Sequence, residues 1–318
     1  MALIPNTQTG TLGDHDQGTD DSLTGSGTLY GDAFNIIDHG RGGNDVLHGV
    51  DNASNSLRGD AQNLSDHARG GNDVLIGGSG AAAVNSLGGE GPSMTGHARG
   101  GDDVIIGGDG ATNSAICGET GTMSDHARGG NDTLIGGLNA LQNNFHGDAI
   151  NMMGRARGGD DTLIGGDGAV INRIRGDAVT MSEDAVGGND VLTAGDGAGT
   201  NNLYGDAETM LDDTVGGNDT LISSNVADNM WGDGGTIGAN VTTGADTFMF
   251  GPGNNADNVH DFRQTDHDQI DVSAYGFDEI ADLNISVVGS DTVIDFGGGN
   301  SVTLVGFADP LHASDFIF

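Results

Sequence analysis

"TMSDHARGGNDTLIGG", residues 122–137, decides how this chain is read, because close copies of it recur along the sequence. "NLSDHARGGNDVLIGG" spans residues 63–78 and "SMTGHARGGDDVIIGG" spans 93–108. The aspartate after each glycine pair falls at Asp45, Asp73, Asp103, Asp132, Asp161, Asp190 and Asp219, in steps of 28, 30, 29, 29, 29 and 29 residues. A second phrase keeps the same period: "LYGDA" (29–33), "LRGDA" (57–61), "LGGEG" (87–91), "ICGET" (116–120), "FHGDA" (145–149), "IRGDA" (174–178), "LYGDA" (203–207) and "MWGDG" (230–234). A step this regular tolerates few insertions, as stacking of repeats requires.

Within a repeat, "DVLIGG" is a short strand stopped by glycines. Strand alternation sends Leu75, Ile105, Leu134, Leu163, Leu192 and Leu221 to one face, and the second phrase supplies another inward row, Leu57, Leu87, Ile116, Phe145, Ile174 and Leu203. One repeat buries neither row, whereas a stack buries both. The sequence therefore predicts an all-β fold: a parallel β-roll or β-solenoid with coils of about 29 residues, about 4.8 Å apart. A third row, Leu64, Met94, Met123, Met152, Met181 and Met210, reads as core filling where the longer half-turn passes, or as a soft methionine binding surface.

Composition narrows the function. Sixty glycines and 4% aromatic residues suit no ordinary globular core, and four prolines with no Gly at every third position exclude collagen. The formal charge is −37, every basic residue is arginine, and nucleic acid is an unfavourable partner for such a polyanion. The single cysteine, Cys117, allows no internal disulfide, and it occupies a slot held elsewhere by Tyr30, Arg58, His146 and Tyr204, which predicts an outward-facing side chain. No apolar run is long enough to span a bilayer, so the chain is expected not to be transmembrane, and the opening "MALIPNTQTGTLGDHDQGTDD" lacks the regions of a cleavable signal peptide.

"GGNDVLIGGSG", "GGDDVIIGGDG" and "GGNDTLIGG" resemble the glycine-rich nonapeptides of RTX (repeats-in-toxin, haemolysin-type) calcium-binding proteins. The resemblance implies multiple bound Ca²⁺ ions between successive coils. Carboxylates would come from Asp45, Asp73, Asp103, Asp132, Asp161, Asp190 and Asp219, with Asp109 and Asp167 from "GGDG" turns and Asp196 from "AGDG"; carbonyls would come from Gly43, Gly71, Gly101, Gly130, Gly159, Gly188 and Gly217. The chemistry agrees: calcium takes six to eight oxygens, glycines with positive φ point carbonyls inward, and stacked carboxylates about 5 Å apart repel by about 1 kcal/mol per pair even in water. Two departures stand out. The family's coil has two nonapeptides, eighteen residues in all, and the other edge carries Asn55, Asn85, Asn143, Asn172 and Asn201 where the family has aspartate. Strong sites are therefore expected along one edge and weak or absent ones along the other, with Asp60, Asp148, Asp177 and Asp206 left open as a rescue of the second.

The expected organisation is an N-terminal segment (1–18), a calcium-binding solenoid (19–245) and a C-terminal cap (246–318) whose period-two stretches, such as "DTVIDFGGGNSVTLVGF", read as antiparallel strands. The cap resembles the target domain of type I secreted RTX proteins. That implies uncleaved export by the type I machinery of a Gram-negative bacterium to an extracellular or surface location, where calcium drives folding.

No HExxH or GxSxG motif occurs, and no room is left for a catalytic domain, so no enzyme is expected. Outward pairs such as Val74/Ile76, Val104/Ile106 and Thr133/Ile135 form two apolar rows on a flat face. That face predicts self-assembly into a layer, filament or matrix; ice binding or an adhesin-type module is the alternative. Beside the calcium turn run His39, His67, His97 and His126, and Arg41, Arg69, Arg99, Arg128 and Arg157, for which Asp66 and Asp125 are candidate partners. The histidines read as a hydrogen-bonded stack or as a metal- or pH-sensitive row. In later copies "HAR" becomes "DAV" (184–186) and "DTV" (213–215), a polarity suited to head-to-tail packing of copies.

Overall fold

In the coil that begins at Val74, three short strands follow one another: Val74–Ile76, Val84–Gly88 and Gly91–Met94. Each pairs in parallel, in register, with its counterparts one coil away: Leu75 with Leu47 and Ile105, Leu87 with Leu57 and Ile116, Met94 with Leu64 and Met123. The structure, a computed structural model, describes Leu3–Ile4 and residues 10–318; the rest of the expected N-terminal segment lies outside the described residues. The strands build an 11-stranded, a 12-stranded and a 9-stranded sheet, here sheets one, two and three, running the length of a β-solenoid with 29-residue coils.

The methionine row fills core in the longer half-turn, as one of its two readings expected, but on a strand of its own in sheet three. Alternation there is blurred, since Ala149 and Met152 are both buried with Ile150 and Asn151 between them, so the period-two signal is weak. The result is two cores. The Leu/Ile/Phe rows fill one between sheets one and two, and a narrower core pairs the methionines with Ala68, Ala98, Ala127, Ala156 and Ala185.

Hydrogen bonds across eleven residues, as from the Gly71 amide to Asp60, pinch the coil between these cores. The larger lobe keeps about eighteen residues of each coil. The eleven extra residues form the second lobe, which explains the longer period.

Parallel pairing continues past residue 246 through Thr247–Met249, Gln269–Asp271 and Phe316–Ile317. Antiparallel pairing is confined to Asn284–Val288, Asp291–Gly297 and Asn300–Leu304, which close the end of sheet two. Among the described residues no helix is long and apolar enough to cross a membrane.

Candidate metal centre

The waist of the coil carries the site. The strand Ser54–Arg58 starts at Asn55 on one edge and delivers Asp60 to the other, so the "GDA" acids stand at the waist opposite the "GGND" aspartates. The first ladder is Asp45, Asp73, Asp103, Asp132, Asp161, Asp190 and Asp219, extended by Asp21 above and Asp246 and Asp268 below. The extensions escape the sequence pattern because "TDD" and "TGAD" replace the second or first glycine of the pair. The second ladder is Asp32, Asp60, Glu90, Glu119, Asp148, Asp177, Asp206 and Asp233. It answers the open question: these acids join the edge of the "GGND" aspartates, not the asparagine edge. From Asp32 to Asp246 every member of both ladders is at most 2% exposed.

In the first ladder, one carboxylate oxygen accepts the amide N–H of the equivalent aspartate in the preceding coil, at 2.6–3.1 Å. In the second, one oxygen accepts from the second glycine of the pair: Gly71 to Asp60 at 3.0 Å, Gly188 to Asp177 at 2.8 Å, Gly217 to Asp206 at 2.7 Å. The remaining oxygen has no partner in eight aspartates of the first ladder, Asp45 to Asp246, and seven acids of the second, Asp32 to Asp206. Asp233 is the exception, because Arg263 Nη1 donates to its Oδ2 at 2.6 Å. The chain thus neutralises the last acid with its own cation and leaves the others without one.

From Asp32 to Asp268 burial pushes the ladder carboxyls up, helped by like charge from neighbours, with Asp73 acting on Asp60 and Asp132 on Asp103. At the partly open end the carboxyl of Asp32 is raised to about 6 and that of Asp45 to about 8. At an effective dielectric of 20, ionised neighbours one coil rise apart repel by about 3 kcal/mol. The column holds protons or cations; it does not hold bare charge.

Glycine carbonyls complete the oxygen set. A methyl group on Gly59 would lie 1.8 Å from Asp73 Oδ2 and 2.1 Å from the Gly89 carbonyl oxygen; on Gly118 it would lie 2.0 Å from Asp132 Oδ2 and 1.7 Å from the Gly147 oxygen. A free carboxylate oxygen and a main-chain oxygen therefore converge at each step. Among the described residues no three acidic, histidine or cysteine side chains form a cage by themselves. An ion here would draw on a few carboxylate oxygens and several carbonyls, the hard-oxygen set that suits Ca²⁺.

The glycines expected to lend carbonyls also act through their N–H groups. Gly43, Gly71, Gly101, Gly130, Gly159, Gly188 and Gly217 do not have positive φ. Their N–H groups hold the second ladder, and a Cβ on Gly71 would meet the Gly43 oxygen at 1.5 Å, so they are glycine for close stacking of coils. Asp109, Asp167 and Asp196 do not reach the column. They are exposed on the far edge, where each accepts a backbone N–H from the next coil or, for Asp167, from Asp196.

That far edge is closed by amides. Asn143 Nδ2 donates to Asn172 Oδ1 at 2.9 Å, Asn172 to Asn201 at 2.8 Å, and Asn201 to Asp228 at 2.7 Å, while each Oδ1 of these asparagines accepts a glycine N–H. No oxygen of this column lacks a partner.

Three surfaces complete the picture. Outward positions of sheet one from Ser22 to Met249 carry no Asp, Glu or Arg, and Val104, Ile164 and Val191 are exposed. The rings of His15, His39, His67, His97 and His126 form a row with centroids 4.8–5.3 Å apart, stacked between His39 and His67 and tilted elsewhere. The arginines form a parallel bridge ladder, and none of Arg41, Arg69, Arg99, Arg128 and Arg157 has a carboxylate within 4.0 Å among the described residues, so Asp66 and Asp125 are not their partners. Cys117 is half-buried, not outward in solvent; its thiol donates to the Thr120 carbonyl at 2.8 Å, and burial pushes it up. No family model and no curated protein matches this chain.

Proposed function

We propose that this chain is a secreted, non-enzymatic calcium-binding protein of RTX type, which folds when calcium fills the waist column and then self-assembles through its uncharged face. One observation carries the calcium reading: a file of buried carboxylates, each with an oxygen that no protein donor satisfies, ending where Arg263 supplies a cation. Extracellular calcium modules bind at about 10⁻⁴–10⁻³ M, so millimolar calcium fills such sites and cytoplasmic calcium does not. With calcium tenfold above Kd, each ion stabilises the folded chain by about 1.4 kcal/mol. Seven such steps total about 10 kcal/mol, which is comparable to the whole stability of a typical domain. Folding after export by a type I machinery of a Gram-negative cell fits this dependence; the motif and the C-terminal resemblance support it.

Self-assembly is favoured by sheet one, a face free of charged carboxylates and guanidinium groups on a chain of net charge −37. The same flat Val/Thr-x-Ile array favours ice binding as the second reading. Calcium titration followed by far-UV circular dichroism tests the first claim: a complete β-solenoid in excess chelator at neutral pH overturns it. Electron microscopy in millimolar calcium then separates the two readings. Sheets or fibres support assembly, whereas dispersed particles with thermal hysteresis support ice binding.

A further inference from the structure

The arginine ladder does something the calcium column does not need. Five guanidinium groups stand in register from Arg41 to Arg157, exposed, and none makes a side-chain hydrogen bond or ion pair among the described residues. Four of them form one wall of a groove of about 540 Å³, whose floor is the glycine pairs. The opposite wall is Asn44, Asn72, Asp102 and Asn131. There one side-chain oxygen of each residue accepts the N–H of the next coil, as Asn72 donates to Asn44 at 2.8 Å and Asn131 to Asp102 at 2.9 Å, and the second oxygen of Asp102 is an acceptor that interrupts the row of amides. The Nδ2 groups of Asn44, Asn72 and Asn131 make no hydrogen bond among the described residues and remain as donors.

We infer that this groove binds a linear acidic polysaccharide, a chain of carboxylate-bearing sugars lying along the solenoid axis. One wall offers guanidinium forks, which match carboxylates, and the other offers amide donors, which match hydroxyls. The step of the ladder selects the polymer. Guanidinium groups recur every ~4.8 Å over about 19 Å; successive sugars of a 1,4-linked polyuronate turn over, so its same-side carboxylates recur at about two coil rises and meet alternate arginines. An extended acidic peptide places same-side carboxylates about 6.7 Å apart and falls out of register. A single-stranded nucleic acid needs open aromatic faces for its bases, and the histidine rings beside the groove pack against one another with centroids 4.8–5.1 Å apart. The net negative charge of the rest of the chain does not forbid binding, since at physiological salt its distant charges are screened beyond about 8 Å.

The site requires the folded solenoid, as in the calcium reading, but does not require self-assembly. The test uses the calcium-loaded full chain and oligogalacturonate of about five sugars, the number of arginines in register, with its methyl ester, polyglutamate and single-stranded oligonucleotide as comparison probes. Circular dichroism on the same samples keeps loss of folding separate from loss of binding. The acid oligomer is expected to bind, the other three are not, and Arg69→Gln/Arg99→Gln/Arg128→Gln is expected to weaken binding about tenfold, as lost exposed charge contacts do, with calcium uptake unchanged. Equal binding by the triple variant overturns the inference and assigns the adhesion to calcium bridging. Binding of polyglutamate or the oligonucleotide as tight as that of the oligogalacturonate overturns the register argument. No sugar binding, with copy–copy association that the triple variant abolishes, overturns it in favour of a second copy as occupant.

Discussion

The waist and the far edge stack the same kind of backbone at the same rise, and both line up buried polar side chains coil after coil. At the far edge the side chain is an amide, which donates to the coil after it while its oxygen accepts from the coil before, so Asn143, Asn172 and Asn201 close on themselves. At the waist it is a carboxylate, which only accepts. From Asp32 to Asp246 each acid except Asp233 uses one oxygen on a backbone N–H and strands the other. A column with donors and acceptors in balance is complete as protein, and a column of acceptors is complete only with protons or cations. The choice between Asn and Asp, one atom apart in shape, thus separates a seam closed by its own hydrogen bonds from a column with unpartnered oxygens.

The sharpest way to break this comparison is to remove calcium and vary pH. The folded waist has raised carboxyl pKa values, about 6 at Asp32 and about 8 at Asp45, against about 3.9 in an unfolded chain. Without calcium the folded form therefore holds protons that the unfolded form has released. That stability is fully present below about pH 4 and is lost as pH rises through about 6 to 8. Chelated protein is expected to be unfolded at pH 7.5 and to regain its β signal near pH 4.5, whereas calcium keeps it folded at pH 7.5. Chelated chain equally folded at both pH values would show that the carboxylates are satisfied in some other way.

Asn143→Asp exchanges one column's chemistry for the other's. The new carboxylate would face the Gly137 carbonyl and Asn172 Oδ1, both acceptors, in a fully buried position. Asp228 survives in this column only because Asn201 and the Ser224 amide and hydroxyl donate to it, and Asn143 has no such serine. The loss should be about 3 kcal/mol or more, read as a lower melting midpoint in saturating calcium. Unchanged stability with one more calcium bound would show that the far edge is a latent ion site. The converse, Asp161→Asn, should lower calcium stoichiometry by about one ion and, in chelator at neutral pH, stabilise the chain by relieving like-charge repulsion of about 1–3 kcal/mol.

The 29-residue step, the Leu rows and the first acid ladder were legible in the sequence because each rests on one strongly periodic letter. The third sheet was not, since its strands bend between Ala149 and Met152 and bury residues three apart. Nor was the meeting of Asp60 with Asp73, thirteen positions apart. That contact depends on the second lobe returning the chain to the waist, and the lobe's own residues, such as Ala68 and Met94, carry no acidic signal. The "GDA" acids looked like property of the asparagine edge because sequence order places them after Asn55. The five-residue strand between them carries the chain across the coil.

The smallest change sharpens the comparison from the amide side. Ser114 interrupts the asparagine column: Asn85 Nδ2 reaches its hydroxyl at 3.3 Å, and no hydrogen bond continues from it to Asn143. In the neighbouring coils an asparagine at this position accepts both a glycine N–H and the previous amide, as Asn85 does from Gly78 at 3.0 Å and Asn55 at 2.9 Å. Ser114→Asn should restore both contacts and pass the chain of amides on to Asn143. One more net hydrogen bond in a buried column contributes about 1 kcal/mol. The melting midpoint in calcium should rise by a few degrees with no change in calcium stoichiometry. A gain in bound calcium, or a loss of stability from crowding against Ile116 and Gly107, would mean that the column tolerates the short serine because it needs the space, and not merely because the amide chain can skip a step.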